Sequence, residues 1–227
     1  MKRIRELDIM RTAAMLLMVV YHVMYDLSNF AGIAISYYKP PLNLIGRFSA
    51  LVFIFLSGIS SGLGSKSLKR GALVFSCGML ITLVTFIFIR DSFVVFGILH
   101  LLGICMMLSA FMKKLPMWML VFITAISAAA GVYFNRLIVE TCVLLPIGII
   151  NEGFTSIDYY PLFPYISVFM AGMIYYRIFY NKKKSIFNLE PKNDIIERLS
   201  RRSLLIYLIH QPVILGILYI VIFIRKL

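Results

Sequence analysis

The stretch Ile9–Phe30, IMRTAAMLLMVVYHVMYDLSNF, decides how this chain folds. A helix needs about 20 predominantly apolar residues to cross a hydrocarbon core ~30 Å thick at ~1.5 Å per residue, and this stretch supplies them. Its few polar residues are not scattered. Wound at ~100° per residue, Asp8, Arg11, Met15, Met18, His22 and Asp26 fall within roughly a quarter-turn of one another. Lipid cannot satisfy such groups, so the pattern predicts a membrane-crossing helix that turns one polar stripe toward protein.

The same kind of block recurs along the chain. Leu44–Leu63, Gly71–Ile89, Phe93–Phe111, Met117–Phe134, Tyr160–Tyr180 and Ser203–Ile224 are each long, apolar and nearly free of charge. Hydrophobic residues make up 61% of the 227, and the mean hydropathy is +0.91, above what a soluble domain carries. The expected fold is therefore an all-α integral membrane protein, a polytopic bundle of seven transmembrane helices, with residues 1–227 forming one transmembrane domain. The run Met1-Lys2-Arg3 leads straight into a helix that contains Arg11 and lacks a small-residue cleavage site. It reads as a first span and not as a removable signal peptide.

Charge sets the expected topology. The net charge of +13 does not point to nucleic acid, because the cations sit in the short links between apolar blocks. With the N-terminus cytoplasmic, seven spans place Lys66, Lys69, Arg70, Lys113, Lys114, the run Lys182 to Lys184, and Arg198, Arg201 and Arg202 inside. The outer links then hold Lys39, Arg90 and Arg136 against Asp91, Glu140, Glu152 and Asp158. Leu137–Ile150 is apolar but short, and counting it as a span would put the triple lysine outside. It is expected as an outer re-entrant or interfacial segment. Gly58-Ile-Ser-Ser-Gly62 is a GxxxG and reads as a close helix contact.

Cys77, Cys105 and Cys142 lie in apolar surroundings without CxxC or histidine at ligand spacing, so neither a metal site nor a disulfide framework is expected. The polar groups inside the spans are the informative ones. His22 lies about 16 Å outward of Arg11 along the first helix, and Asp26, one turn further, is placed to accept a hydrogen bond from its ring. His100 falls at a depth close to that of His22, with Arg47 and Asp158 as candidates for the same cavity. His210, Gln211 and Pro212 interrupt the last span, where a helix-interior proline frees a carbonyl. Histidine near neutral pKa is the usual general base and can also act as a nucleophile, and Arg47 or His100 could steady a developing oxyanion. Intramembrane His, Asp and Arg also build transport relays, so a small secondary transporter or proton-coupled carrier is the alternative. No lysine sits mid-span for a Schiff base, which argues against a retinal-type sensor.

Several stretches resemble one family. Glu6-Leu-Asp-Ile-Met-Arg11, Tyr21-His-Val-Met-Tyr-Asp26, Phe53-Ile-Phe-Leu-Ser-Gly58, Gly97-Ile-Leu-His100-Leu-Leu-Gly103, Asp158-Tyr-Tyr-Pro-Leu-Phe-Pro164 and Ser203-Leu-Leu-Ile-Tyr-Leu-Ile-His210-Gln-Pro212 occur in order over most of the chain. Together they resemble bacterial membrane proteins related to heparan-α-glucosaminide N-acetyltransferase, and Arg11-x10-His22 is similar to the signature of the more distant acyltransferase family three. The resemblance implies an acetyltransferase that takes acetyl from cytoplasmic acetyl-CoA and passes it to an amine or hydroxyl of a sugar acceptor at the outer side of the membrane. It implies His22 as the catalytic group, assisted by Asp26, Arg47 and His100. Arg11, His210, Gln211, Arg201 and Arg202 are expected to hold the CoA donor, and Asp158 the acceptor. Members usually carry ten or eleven spans, and this chain supplies seven. Acetyl-CoA is expected as co-substrate without a metal. The expected partners are a sugar or glycan-type acceptor, membrane lipids and a second copy of the chain in a homodimer. The expected location is the bacterial cytoplasmic membrane, crossed several times.

Overall fold

The computed structural model describes residues 4–181, 184–187, 189–190 and 194–224. Lys182 and Lys183 of the triple-lysine run lie outside the described residues. The helices are α1 (Arg5–Phe30), α2 (Leu42–Leu63), α3 (Ser67–Phe88), α4 (Ile98–Met112), α5 (Met117–Phe134), α6 (Leu162–Phe179), α7 (Ile195–Arg201) and α8 (Ser203–Ile224). Six of them, α1, α2, α3, α5, α6 and α8, are long and apolar enough to cross a membrane, and α4 is a shorter apolar helix. The chain is a polytopic, all-helical membrane protein. It groups into two compact units, residues 1–53 with 184–227, and residues 54–183.

In the unit of residues 54–183, α3 packs along α4 and α5 along α6, with α4 against α6. The core holds Ile54, Leu56, Ile59, Leu101, Cys105, Leu120, Phe169, Met170 and Met173. The second half of α2 meets α6 backbone to backbone. A Cβ on Gly58 would lie 2.0 Å from the Phe169 carbonyl oxygen, and one on Gly172 would lie 2.1 Å from that of Phe55. A Cβ on Gly62 would enter the Tyr176 ring. Without a hydrophobic force between helices in lipid, such close approach is a main source of cohesion, so the GxxxG is a packing motif as its spacing implies.

The links of this unit gather at two opposite ends. At one, the Lys113 ammonium donates to the Gly64 carbonyl at 2.5 Å and to Ser67 Oγ at 2.7 Å. Arg177 donates to the carbonyls of Met112, Lys113 and Leu115, which closes the α4 C-terminus. Burial and the nearby Arg70 push the Lys113 ammonium below the ordinary lysine range. At the other end, Thr155 donates to the Asp91 carbonyl, Ser156 to that of Phe93, and Tyr160 N–H to that of Phe96. Lys66, Lys69, Arg70, Lys113 and Lys114 thus belong to links at the first end, and Asp91, Glu152 and Asp158 to links at the second.

One expectation needs correction here. The fourth span does not run from Phe93. Phe93–Gly97 is not helical, with a bridge between Phe96 and Tyr159, and the helix starts only at Ile98. The cause is capping: Asp158 accepts from Ile98 N–H at 3.1 Å and His100 Nδ1 accepts from Gly97 N–H at 3.1 Å, so the chain turns into helix there. Non-helical backbone at this depth is tolerated because it is covered by protein, Val94 and Phe96 being buried. The polar link Asn181–Arg202 also contains a helix, α7, capped by Asp194, which accepts from Glu197 N–H. Leu137–Ile150 is not a span, as expected. Val139 N–H bonds the Ile150 carbonyl, so the segment leaves and returns at one level, with a 3₁₀ helix Cys142–Ile147 at its tip. Tyr159 donates its hydroxyl to the Leu145 carbonyl, and burial lifts that phenol to about 12.

In the unit of residues 1–53 and 184–227, α1 packs against α7 and α8. The first turns of α1 are tied to the C-terminal segment by charged groups. Arg5 makes a two-pronged ion pair with Asp194. Buried Glu6 accepts from Ser185 Oγ and Ile186 N–H, both at 2.7 Å. Thr12 Oγ1 donates to the Ile196 carbonyl.

Candidate active site

The polar stripe of α1 finds its partners on α7 and α8. Asp8 accepts from Ser200 Oγ at 2.6 Å, and Arg11 donates to the same oxygen at 3.4 Å. About three turns beyond Arg11, the His22 ring meets His210 of α8, with centroids 4.9 Å apart and planes at 62°. Asp26 closes the row: Gln211 Nε2 donates to both of its carboxyl oxygens at 2.9 Å. Four of the six stripe residues therefore touch the C-terminal helices, so one helical face explains the burial of charge in an otherwise apolar helix.

The pairing expected of Asp26 with His22 is not formed. Asp26 is fully buried and both its oxygens are taken by Gln211, so the carboxyl is oriented toward α8 and not back along α1. Among the described residues, none hydrogen-bonds the His22 imidazole, whose contacts are the rings of Tyr21 and His210. His210 is held differently. Its Nδ1 lies 2.6 Å from the Tyr207 carbonyl, which can only accept, so Nδ1 carries a proton and Nε2 is a bare acceptor. That Nε2 is buried and has no partner among the described residues, as is Gln211 Oε1. The helix runs unbroken through His210, Gln211 and Pro212, from Ser203 to Ile224.

Arg47 sits in the first half of α2, exposed, and no acceptor among the described residues bonds its guanidinium. Its neighbour Gly46 lies against the Tyr21 ring, a Cβ there standing 2.9 Å from Tyr21 Cδ2, which brings α2 against the turn that carries His22. Arg201 donates to Glu197 at 2.5 Å and keeps 61% of its side chain exposed, and Arg202 is exposed.

His100 and Asp158 belong to the other unit and are bound into it. His100 Nδ1 accepts from Gly97 N–H, so Nε2 carries the proton and faces Thr82 Oγ1 at 3.3 Å, while Thr82 donates to the Val94 carbonyl at 2.7 Å. The ring stacks on Phe96 and meets the edge of Phe75. These contacts hold the Phe93–Gly97 segment to α3. Asp158 caps α4, and Gly97 has no Cβ because one would lie 2.3 Å from Asp158 Oδ2. Both residues have a local structural duty that their types and positions alone did not disclose.

Sequence reasoning missed Ser200 and Tyr207, which hold Asp8, Arg11 and His210 in place. A serine within Arg198-Leu-Ser-Arg-Arg202 and a tyrosine one turn before a histidine carry no distinguishing signal. The i, i+3 spacing of Tyr207 and His210 is compatible with the bond but common to any helix.

The family model described as "Heparan-alpha-glucosaminide N-acetyltransferase, catalytic" matches residues 3–212. The match includes every residue of the α1 stripe, Arg47, Ser200, His210 and Gln211. No curated protein and no solved structure matches the chain.

Proposed function

This chain belongs to the heparan-alpha-glucosaminide N-acetyltransferase catalytic family, a family of transmembrane acetyltransferases, and from that premise we propose how it works. The reading is that it takes acetyl from cytoplasmic acetyl-CoA and transfers it to an amine or hydroxyl of a sugar-type acceptor on the outer side of a bacterial plasma membrane, with residues 1–227 acting as one domain. The observation that carries it is the α1 face: His22, with unoccupied ring nitrogens, stands about 16 Å along the helix from Arg11. Acyl transfer asks for a base within reach of the acceptor proton and a cation near the developing oxyanion. His22 has the first role, and Arg47, whose guanidinium no described group takes, has the second. Asp26 and Gln211 hold the frame.

The donor set at the inner end suits a nucleotide bearing several negative charges. Arg11 donates to Ser200 where α1 meets α7, Arg201 and Arg202 directly follow that serine in sequence, and guanidinium groups recognise phosphate by paired N–H bonds. An extended pantetheine arm spans the distance from Arg11 to His22. His210 and Gln211, expected from sequence to hold the donor, stand beside His22 and belong to the transfer step in this reading. The positive-inside rule assigns the lysine-rich ends to the cytoplasm. The homodimer and lipid contacts remain part of the proposal, as does Asp158 as an acceptor group beyond its cap.

The test is donor binding. Millimolar acetyl-CoA should raise the melting temperature of the purified protein in detergent by ligand linkage, and raise it less in Arg11→Ala. No stabilisation of a well-folded sample would move the carrier reading to first place, to be tested by uptake into proteoliposomes without acyl-CoA.

A further inference from the structure

We propose that His210 is the proton-holding partner of His22, a second imidazole that takes up the proton His22 removes from the acceptor; this rests on the acyltransfer reading above. Three observations meet at one contact of α1 and α8. The His22 and His210 rings touch, with centroids 4.9 Å apart. The Tyr207 carbonyl fixes the tautomer of His210 by accepting from Nδ1–H at 2.6 Å, which leaves the Nε2 lone pair. That lone pair is buried and has no partner among the described residues. A buried acceptor without a donor is costly, and native proteins keep few of them. A nitrogen that is idle at rest and filled during turnover accounts for the cost.

Gln211 makes the contact reproducible. Its Nε2 donates to both oxygens of Asp26, one helical turn beyond His22, so α8 cannot rotate about its axis without breaking that contact. His210, the preceding residue, is thereby kept at His22. The titratable groups that face His210 within this unit are His22 and, through Gln211, Asp26 on α1, with Tyr207 on its own helix at a ring separation of 5.4 Å. The Tyr207 bond holds the His210 ring still, and rotation of the His22 imidazole about χ2, a broad torsion, turns its nitrogens toward His210.

The bookkeeping closes without a further reactant. The acceptor nitrogen or oxygen bonds the acetyl carbon, and the carbon–sulfur bond of the thioester breaks. The acceptor's proton goes to His22, and from there to His210 Nε2. The departing thiolate of CoA then takes one proton from the imidazole pair, which returns to its starting state. A single imidazole must keep its proton while the thiolate leaves. With His210 in place, His22 is neutral again at once and the reverse protonation of the acceptor is avoided.

His210→Gln is the deciding variant. Glutamine has a polar end that can still donate toward the Tyr207 carbonyl and present an acceptor, but it cannot hold a proton. With glucosamine as acceptor, thiol release from acetyl-CoA should show kcat lowered by about 10²-fold in both His210→Gln and His210→Ala. The KM for acetyl-CoA and the thermal stabilisation by acetyl-CoA should stay within about 2-fold of wild type, since uniform binding is untouched. His210→Gln turning over within about 3-fold of wild type would overturn the proposal, because a hydrogen-bonding spacer would then suffice. Loss of fold in both variants would assign His210 to packing and overturn it too. Wild-type protein that releases no thiol would defeat the acyltransfer reading itself, a separate outcome from equal rates in wild type and variant.

Discussion

Gln211 on α8 donates to both carboxyl oxygens of Asp26 on α1, each at 2.9 Å, across 185 residues of sequence. The bond joins the two ends of the chain at the depth of His22. Asp26→Asn keeps the volume but sets two amides against each other, with donors facing donors in part. It should slow transfer less than loss of His22 while lowering the melting temperature in detergent. Gln211→Leu should cost more stability, since it leaves a buried carboxyl without any donor. A melting temperature unchanged in both would show that the bond does not hold α8.

Gly58 and Gly172 let α2 and α6 meet at their backbones, and this makes a sharp stability prediction. Gly58→Val puts a branched side chain where the Phe169 carbonyl already stands 2.0 Å from a bare Cβ. Overpacking typically costs about 1–3 kcal/mol, and here backbone itself must move, so the variant should aggregate or melt well below wild type. Gly216→Ala is the control, with nothing within 4 Å of the new Cβ. It should be neutral or stabilising by about 0.5–1 kcal/mol through helix entropy. Detergent melting curves decide both.

Much of this architecture was legible because membrane insertion writes itself in composition. The stripe Asp8, Arg11, His22, Asp26 gave the buried face of α1, and the link lysines gave the grouping of ends seen at Lys113 and Arg177. The start of α4 was not legible. Phe93-Val-Val-Phe96 is as apolar as any helix, and what stops it is a cap from Asp158, 60 residues away from Ile98. Helix α7 was hidden in a polar link, since besides the local Asp194 cap its stability comes from the Arg5–Asp194 pair and the bond from Thr12 to Ile196, both contacts with α1 at long range. In the site, the face of His22 was readable, but its partner was not. Nearest-neighbour spacing favoured Asp26 for His22, while tertiary packing gave Asp26 to Gln211 and His22 to His210.

Asp194 ties the α7 cap to Arg5, and its acid sensitivity follows from that pair. The Arg5 guanidinium holds the carboxyl at about 2, below the ordinary 3.8. The folded state therefore releases this proton more readily than the unfolded chain. The stabilisation is fully present above the ordinary carboxylate value and is lost as pH falls through about 2. Between pH 5 and pH 2, wild-type protein should lose more melting temperature than Asp194→Asn, which begins lower and has no such carboxylate. Parallel pH curves for the two proteins would contradict this role.

Arg11 is placed to separate donor binding from chemistry. Arg11→Ala should raise the KM for acetyl-CoA with a smaller effect on kcat, the pattern of lost binding common to ground state and transition state. Raised ionic strength should weaken donor binding in wild type more than in the variant. A kcat loss at constant KM would move Arg11 out of the donor site and into the frame made with Asp8 and Ser200.

The central claim is that His22 transfers acetyl from a thioester, and it is tested most directly by thiol release. Wild-type and His22→Ala protein, purified in one detergent and shown to melt alike, are supplied with acetyl-CoA and glucosamine, and free CoA and N-acetylated product are measured together. Wild type should yield thiol and product in equal amounts, and His22→Ala should be slower by about 10²–10⁴-fold. His22→Ala protein that acetylates glucosamine at the wild-type rate would contradict the account.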